Sequence, residues 1–261
     1  MAVLEVNVKS KTLFRTVPMC VILPVDSMEY EDDGQPLKTL YLLHGLVGNY
    51  ADWLHYSRIR QWAEERHFAV VMPSGDNSFY VNNPVSRNEE FIGQELLDLT
   101  RRMFPLSHKR EDTFIAGLSM GGFGALRTGF LYPQNFSHVA GFSSALHLFE
   151  MPFDQADRNI GSEDASFGDI REAVKTDKNP RVALEHLKEK REQDASIVLP
   201  RVYLSCGTED RQVTYARLYR DLMQDVGFDV TYYEGPGMHN WDFWNQELEK
   251  ALDWLPLGTE K

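Results

Sequence analysis

The strongest chemical signal in the sequence is a serine flanked by glycines. Ser119 stands at the centre of residues 117–121, which follow the apolar stretch 113–116 and precede a helix-like segment. A Gly-x-Ser-x-Gly run between a strand and a helix is typical of a tight turn with positive φ at its central residue. The serine hydroxyl then projects at the sheet edge, near the positive end of the helix. The pattern predicts a nucleophilic serine.

A serine hydroxyl attacks efficiently only when a base accepts its proton, so we expect a histidine and an orienting carboxylate as well. Of the eight histidines, His239 lies in residues 235–241, between the last predicted strand and the last predicted helix. Asp210 ends the segment 201–210, and the chain order Ser, Asp, His matches a hydrolase site. The adjacent Glu209 remains an alternative acid. Whichever of these two carboxylates does not orient the histidine is expected at the N-terminus of the next helix.

Acyl transfer also requires backbone N–H groups aimed at the oxyanion of the tetrahedral intermediate. Met120 follows the serine and supplies the first group. The predicted strand 39–43 runs into a glycine-bearing loop, and we expect Leu46 to supply the second group, with Gly45 as a rival donor.

Strand-length apolar runs alternate with segments of helical periodicity. The runs are residues 3–8, 17–23, 39–43, 68–72, 113–116, 139–142, 201–205 and 229–233, and the helical segments include 59–65, 88–104, 122–131, 181–191, 215–226 and 241–254. From the third run onward the strands are almost continuously apolar, as in parallel strands buried on both faces. The first two runs favour an antiparallel edge hairpin. This pattern predicts an α/β fold with a mostly parallel eight-stranded sheet flanked by helices.

The stretch 147–200 interrupts this alternation with about 50 residues that lack a convincing strand. It is polar and ends in a charged helix. A connection this long in a compact domain is usually functional, so we expect a cap-like insertion over the site. No linker or repeat divides the rest, and residues 1–261 are predicted to form one domain.

The composition limits the binding partners and the cellular compartment that we expect for this protein. Lys and Arg total 27 against 39 Asp and Glu, which gives a net charge of −12 and disfavours nucleic acid and anionic membranes. The start of the chain shows no signal-like pattern, and no apolar stretch reaches a membrane span. With only Cys20 and Cys206, which read as free thiols, we expect a cytoplasmic protein. No metal-ligand spacing or P-loop is present, so we expect no metal and no cofactor.

These motifs together resemble the tributyrin esterase family, small serine carboxylesterases of the α/β-hydrolase superfamily related to esterase D. The resemblance runs over nearly the whole chain and includes residues 44–49, 52–53, 78–80, 95–96, 117–126, 207–210 and 237–244. It implies a Ser119, Asp210, His239 triad, an oxyanion hole from Leu46 and Met120, and hydrolysis of short acyl esters. Cleavage of acetylated sugars stays open.

The resemblance also suggests which residues bind substrate. It implies that Trp53 and the segment after Ser78 line the pocket, and we therefore assign substrate contact to Trp53, Phe79 and Tyr80, with Gly45 beside them. Relatives often self-associate, so a homo-oligomer is compatible with the resemblance.

Related enzymes differ in substrate, and three alternatives stay open. They are an S-formylglutathione hydrolase-like thioesterase, a cinnamoyl or feruloyl esterase, and an acyltransferase on the same fold. The thioesterases usually carry His-Ser-Met-Gly-Gly-His around the nucleophile, and Leu118 and Phe123 depart from that pattern. These departures favour the carboxylesterase.

Overall fold

A twisted sheet of eight strands forms the centre of the computed structural model, which describes residues 1–26, 34–151 and 165–257. The strands lie in the order β1-β2-β4-β3-β7-β8-β9-β10. A separate two-stranded hairpin, β5 with β6, stands apart from this sheet. The strands are β1 (Ala2–Ser10), β2 (Arg15–Leu23), β3 (Thr39–Leu43), β4 (Ala69–Pro73), β5 (Asn82–Asn83), β6 (Ser86–Arg87), β7 (Thr113–Leu118), β8 (His138–Phe142), β9 (Arg201–Gly207) and β10 (Val230–Gly235).

The helices follow the strands in chain order. They are α1 (Asp52–Tyr56), α2 (Ile59–Glu65), α3 (Asn88–Glu90), α4 (Leu96–Met103), α5 (Met120–Leu131), α6 (Ile170–Ala173), α7 (Pro180–Gln193), α8 (Val213–Val226) and α9 (Trp241–Trp254). A π turn, Phe91–Glu95, joins α3 to α4. In the part of the chain that the structure describes, no helix has the length and apolar character needed to cross a membrane.

Two hydrophobic cores cover the two faces of the sheet, because successive side chains of a strand point in opposite directions. In β3, Tyr41 and Leu43 face one core, whereas Leu40 and Leu42 face the other. Helices α4, α5, α7 and α8 bury apolar side chains in the first core, and α2 and α9 do so in the second. Burial on both faces explains why the central strands read as continuous apolar runs.

The predicted α/β-hydrolase fold class is confirmed. All eight predicted strands occur. β1 and β2 pair antiparallel at one edge, β2 is also antiparallel to its other neighbour β4, and the six strands from β4 to β10 in the sheet order run parallel to one another. Sequence periodicity missed the short helix α1 and the β5–β6 hairpin, since elements of two to five residues show no period.

The stretch 147–200 contains a sheet-flanking helix. Helix α7 buries Ala183, Leu184 and Leu187 in the first core. The part of this stretch that contains α7 therefore belongs to the main α/β fold. Residues 152–164 lie outside the described ranges, and the cap-like role of the remainder stays a prediction, as does the single domain over residues 1–261.

Glu95, the last residue of the π turn, anchors the loop between β1 and β2. Its carboxylate accepts hydrogen bonds from Ser10 Oγ at 2.7 Å, from Lys11 N at 2.7 Å, and from Thr12 N at 3.1 Å and Thr12 Oγ1 at 2.5 Å. Burial would raise the pKa of Glu95, but these donors outweigh burial and hold the pKa below its ordinary value. An ionised carboxylate therefore ties the edge hairpin to the helical layer.

We expect Glu95→Ala to lower the free energy of unfolding by about 2 kcal/mol, because several donors lose a charged acceptor. A folded-state pKa below the unfolded value means that the contribution is present above the unfolded pKa and is lost as the pH falls through the folded one. Urea unfolding at about pH 7 and about pH 3 measures both effects.

The control is Glu90→Ala, which removes an exposed ion pair with Arg87 at 3.3 Å. We expect it to cost less than about 1 kcal/mol. Equal losses in the two variants, or a Glu95→Ala loss that does not shrink in acid, would contradict the anchoring role.

Candidate active site

The turn between β7 and α5 holds Ser119 in a strained backbone conformation. Its φ is 51° and its ψ is −115°. The Ser119 amide donates to Phe142 O at 2.9 Å, and its carbonyl accepts from Phe123 N and Ala145 N, both at 3.0 Å. A Cβ added at Gly117 would collide with the backbone of Gly121, so the flanking glycines are what allow the chain to turn this sharply.

Ser119, His239 and Asp210 form a continuous hydrogen-bonded series. His239 Nε2 lies 3.0 Å from Ser119 Oγ, and His239 Nδ1 lies 2.7 Å from Asp210 Oδ2. The second carboxylate oxygen of Asp210 accepts from Gln212 N at 2.9 Å. Burial would raise the pKa of Asp210, but the hydrogen bonds from His239 and Gln212 outweigh it and hold the pKa below its ordinary value. The buried acid therefore stays ionised beside the imidazole.

The Asp210 turn and the His239 loop are joined by backbone contacts. Thr208 N donates to Gly235 O at 2.8 Å, and Glu209 N donates to Gly237 O at 3.1 Å. Gly237 has a φ of 153°, which an L side chain rarely adopts. Acid and base therefore sit on one cross-linked unit at the ends of β9 and β10.

Glu209 does not occupy the place expected for it. The sequence assigned the carboxylate that does not serve as the acid to the N-terminus of the next helix, but α8 begins at Val213 after the N-cap residue Gln212. Glu209 Oε2 instead accepts from Gly237 N at 2.5 Å. That hydrogen bond lowers the pKa of Glu209. The helix-terminus prediction is wrong because the histidine loop folds back over the β9 turn and offers a closer donor.

Strand β8 separates the nucleophile from the acid and base. Its last residue, Phe142, accepts the Ser119 amide hydrogen on one side. On the other side, Ser143 N donates to Ser205 O of β9 at 2.8 Å. Ser143 is fully buried and has a φ of 47°. The carboxyl end of β8 is therefore the direct backbone link between the two halves of the site.

The loop after β3 lies against the nucleophile, as expected for an oxyanion loop. A Cβ added at Gly45 would lie 3.5 Å from Ser119 Cβ. Met120 begins α5, where an amide has no acceptor in its own helix. The positive end of this helix adds to the favourable field for an anion. The donor roles of Leu46 and Met120, with Gly45 as the rival, stay predictions.

His44 and Tyr80 hold this loop in place. His44 Nε2 accepts from Gly75 N at 2.8 Å, so its proton is on Nδ1, which donates to Gly45 O at 2.7 Å. Burial lowers the pKa of His44, which keeps the imidazole neutral. Tyr80 OH donates to the His44 carbonyl at 3.0 Å. Sequence reasoning missed this support because Gly75 and Tyr80 are distant from His44 in the chain.

The residues predicted to bind substrate lie near the site but are packed into the interior. Trp53 donates to Leu43 O at 2.9 Å and contacts Trp241 edge-on with ring centroids 5.0 Å apart. Phe79 N donates to Met120 Sδ at 3.4 Å. Trp53, Phe79 and Tyr80 are each about 1% exposed. Their substrate contacts, like that of Gly45, stay a prediction.

A second histidine lies beside the acid. His147, at the start of the long connection, lies with Nδ1 3.0 Å from Gln212 Oε1. Gln212 is itself buried and bonds to Asp210 through its amide. Neither residue carries a sequence motif, and only their proximity to Asp210 in space marks them. Among the described residues no group of three or more His, Cys, Asp or Glu side chains could hold a metal ion.

The fold and the serine at its central turn define an α/β-hydrolase of the serine hydrolase class. The family described as "Putative esterase" matches residues 10–255 of the chain. The chain belongs to this family and is a carboxylic ester hydrolase.

Known relatives agree with this assignment. The chain is 37% identical over 266 residues to an acetyl esterase of Caldicellulosiruptor saccharolyticus, covering 98% of each chain. FphF, a fluorophosphonate-binding serine hydrolase of Staphylococcus aureus, is 29% identical with a TM-score of 0.84, covering 97% of this chain and 98% of FphF. The S-formylglutathione hydrolase FrmB from the same organism is 28% identical with a TM-score of 0.83 at the same coverages.

Replacing each carboxylate by the corresponding amide shows whether Asp210 or Glu209 is the acid that orients His239. Asp210→Asn is expected to lower kcat on p-nitrophenyl acetate by about 10⁴-fold, because the imidazole loses its charged partner and its tautomer changes. Glu209→Gln keeps an acceptor for Gly237 N and should cost less than about tenfold. A larger loss in Glu209→Gln than in Asp210→Asn would reverse the assignment.

Tyr80→Phe removes the donor to the His44 carbonyl without changing the ring. We expect kcat to fall about tenfold with little change in KM, because the oxyanion loop loosens. The control is Tyr50→Phe, whose hydroxyl donates to Glu5 at the surface. Steady-state kinetics of both variants on p-nitrophenyl acetate checks the expectation, and a KM effect without a kcat effect in Tyr80→Phe would indicate a substrate contact instead.

Proposed function

We propose that the protein is a serine carboxylesterase that hydrolyses short-chain acyl esters through an acyl-enzyme on Ser119. One observation carries the proposal, namely the unbroken series from Ser119 Oγ through the His239 imidazole to the buried Asp210 carboxylate. An imidazole that bonds a serine hydroxyl at one nitrogen and an ionised carboxylate at the other is the arrangement that activates serine.

The reaction has two matched steps. Ser119 Oγ attacks the ester carbonyl while His239 Nε2 accepts the hydroxyl proton, and the resulting oxyanion is stabilised by the Leu46 and Met120 amides. The bond to the alcohol oxygen then breaks, and His239 returns the proton to that oxygen. Water enters and attacks the acyl carbon while His239 accepts one of its protons. His239 then returns this proton to Ser119 Oγ as the acyl–Oγ bond breaks and the carboxylic acid leaves. Asp210 holds the imidazole and stabilises its positive charge.

Short, uncharged substrates fit this proposal best. The acetyl esterase relative supports a small acyl group. The net charge of −12 disfavours anionic substrates, nucleic acids among them. A cytoplasmic setting is supported by Cys20 and Cys206, which are both buried free thiols. A homo-oligomer, which is compatible with the resemblance, remains part of this proposal.

An S-formylglutathione thioesterase is the second candidate. The likeness to FrmB favours it. Phe123 counts against it, since the histidine usual at this position in such enzymes is replaced by a fully buried ring that contacts Phe79 edge-on at 5.8 Å. The feruloyl esterase and acyltransferase alternatives also proceed through an acyl-enzyme on Ser119. The first differs in the acyl group and the second in the acceptor.

The test is kcat/KM for p-nitrophenyl esters from acetate to octanoate, with S-formylglutathione alongside. We expect the acetate and butyrate esters to be the best substrates. Ser119→Ala should lower kcat by at least about 10⁴-fold because the nucleophile is gone.

The control for this test is the fold of the variant. Circular dichroism and the melting temperature of Ser119→Ala should match those of the unchanged protein, because the substitution removes only the hydroxyl group and no packing contact. Retained turnover in the folded variant would contradict Ser119 as nucleophile. Turnover of S-formylglutathione far above that of every oxygen ester would select the thioesterase.

A further inference from the structure

A cavity opens at the edge of the sheet opposite to Ser119. Its volume is about 540 Å³, within the about 300–1,000 Å³ range of ligand pockets. Its wall comes from the turn before β7, the C-terminal end of α5 and the loop after it, helix α7 and the loop before β9. Each of these segments leads into the amino end of a parallel strand, whereas Ser119 follows the carboxyl end of β7.

Helix α5 connects the two places. It begins directly after Ser119 and ends with Leu131 in the cavity wall, and its 12 residues span about 18 Å. The cavity is therefore distinct from the proposed active site, although both contact the same helix.

Most of the cavity wall is apolar. Six of the ten lining residues carry apolar side chains, and they are Phe130, Leu131, Pro133, Leu187, Ile197 and Val198. Phe130 and Leu187 are buried and form the inner wall, whereas Val198 is 64% exposed at the rim. A hydrocarbon chain that covers this wall would leave water, and every buried CH₂ group would add to its affinity.

The charged part of the wall is cationic. Arg110 and Lys190 line the cavity together with the polar side chains of Gln134 and Ser196, and no Asp or Glu is among the lining residues. This is unusual in a chain with 39 acidic and 27 basic residues. The acid of the neighbouring loop, Asp194, accepts from Ser196 N at 3.0 Å and from Ser196 Oγ at 2.6 Å. Within residues 1–26, 34–151 and 165–257 no carboxylate forms an ion pair with either cation.

Backbone carbonyls on two sides of the cavity hold the Arg110 side chain. Its Nε donates to Pro133 O at 2.8 Å, and its Nη2 donates to Val198 O at 3.1 Å. Burial lowers the pKa of Arg110, and the charge of the neighbouring Glu111 opposes that shift. In the described part of the chain Nη1 has no acceptor. An oriented, partly buried guanidinium therefore lacks the anion that would compensate its charge.

The apolar wall and the two cations together define the chemistry of a ligand. A carboxylate accepts charge-assisted hydrogen bonds from a guanidinium, and a nearby ammonium group adds a second favourable charge. An apolar chain attached to that carboxylate would cover the rest of the wall. A small inorganic anion would leave the apolar wall in water, and an uncharged lipid would leave the charge of Arg110 uncompensated.

We propose that this cavity is a second binding site, separate from Ser119, for a free monocarboxylic acid with an unbranched apolar chain of medium length. The carboxylate bonds to Arg110 beside Lys190, and the chain lies along Leu187 and Ile197. The inference does not depend on the proposed esterase function, because no residue of the proposed triad lines the cavity.

Calorimetric titration with octanoate tests the site. We expect Lys190→Glu to weaken octanoate binding at least about tenfold, because it places a like charge beside the carboxylate. The matched control is Lys188→Glu, which makes the same change on α7 outside the cavity and should leave the affinity within about twofold. Both lysines are exposed, so we expect both variants to fold, and circular dichroism checks this.

A second pair of variants and a second ligand test the cavity rim and the need for charge. Val198→Asp should also weaken octanoate binding, whereas Val25→Asp, the same change at an exposed residue after β2, should not. Octanol has the same chain without the charge, and it should bind at least about tenfold more weakly than octanoate and be insensitive to Lys190→Glu.

Three results would overturn the site. They are the absence of octanoate binding, an equal loss of affinity in Lys190→Glu and Lys188→Glu, and octanoate binding that neither Lys190→Glu nor Val198→Asp weakens. The second result would indicate a general effect of the surface charge, and the third would place octanoate elsewhere, at Ser119 for example.

Discussion

The left-handed backbone at Ser119 is the constraint on which the rest of the site depends. A conformation of this kind costs about 1–3 kcal/mol and persists only where its surroundings enforce it. Here the enforcement comes from three backbone hydrogen bonds to Phe142, Phe123 and Ala145. The same turn puts the Met120 amide at the start of a buried helix and brings Gly45 against the serine. One strained residue thereby sets the position of the proposed nucleophile and of both expected oxyanion donors.

Much of this arrangement could be predicted from the sequence because it is local. The glycines around Ser119 encode the turn directly, and the apolar runs encode the buried parallel strands. The order of Ser119, Asp210 and His239 along the chain follows from that topology, since successive strands end at the same edge. Once the fold has formed, these residues lie close enough for the two hydrogen bonds that join them. Their catalytic roles remain predictions, but their proximity in the structure agrees with them.

The contacts that could not be predicted join residues distant in the chain without a motif. Glu209 was expected at a helix N-terminus, yet it bonds to Gly237, because a loop 28 residues later folds back onto it. The sequence shows His44 only as a histidine before a loop. His44 holds this loop as a neutral imidazole, and that role depends on the hydrogen bond from Gly75 N. Helix α7 was read as part of an insertion because its charged sequence hides a short buried face of Ala183, Leu184 and Leu187. In each case the partner, rather than the residue itself, determines the role.

The position of β8 determines how the distance between the serine and the acid–base pair can vary in such a site. Ser119 belongs to one rigid unit built from β7 and α5, and Asp210 with His239 belongs to another built from the cross-linked ends of β9 and β10. The end of β8 acts as the spacer that sets the width of the gap between them, through Phe142 on one side and Ser143 on the other. Side-chain volume behind that spacer would therefore tune the distance over which the serine proton travels, while leaving every reacting group unchanged.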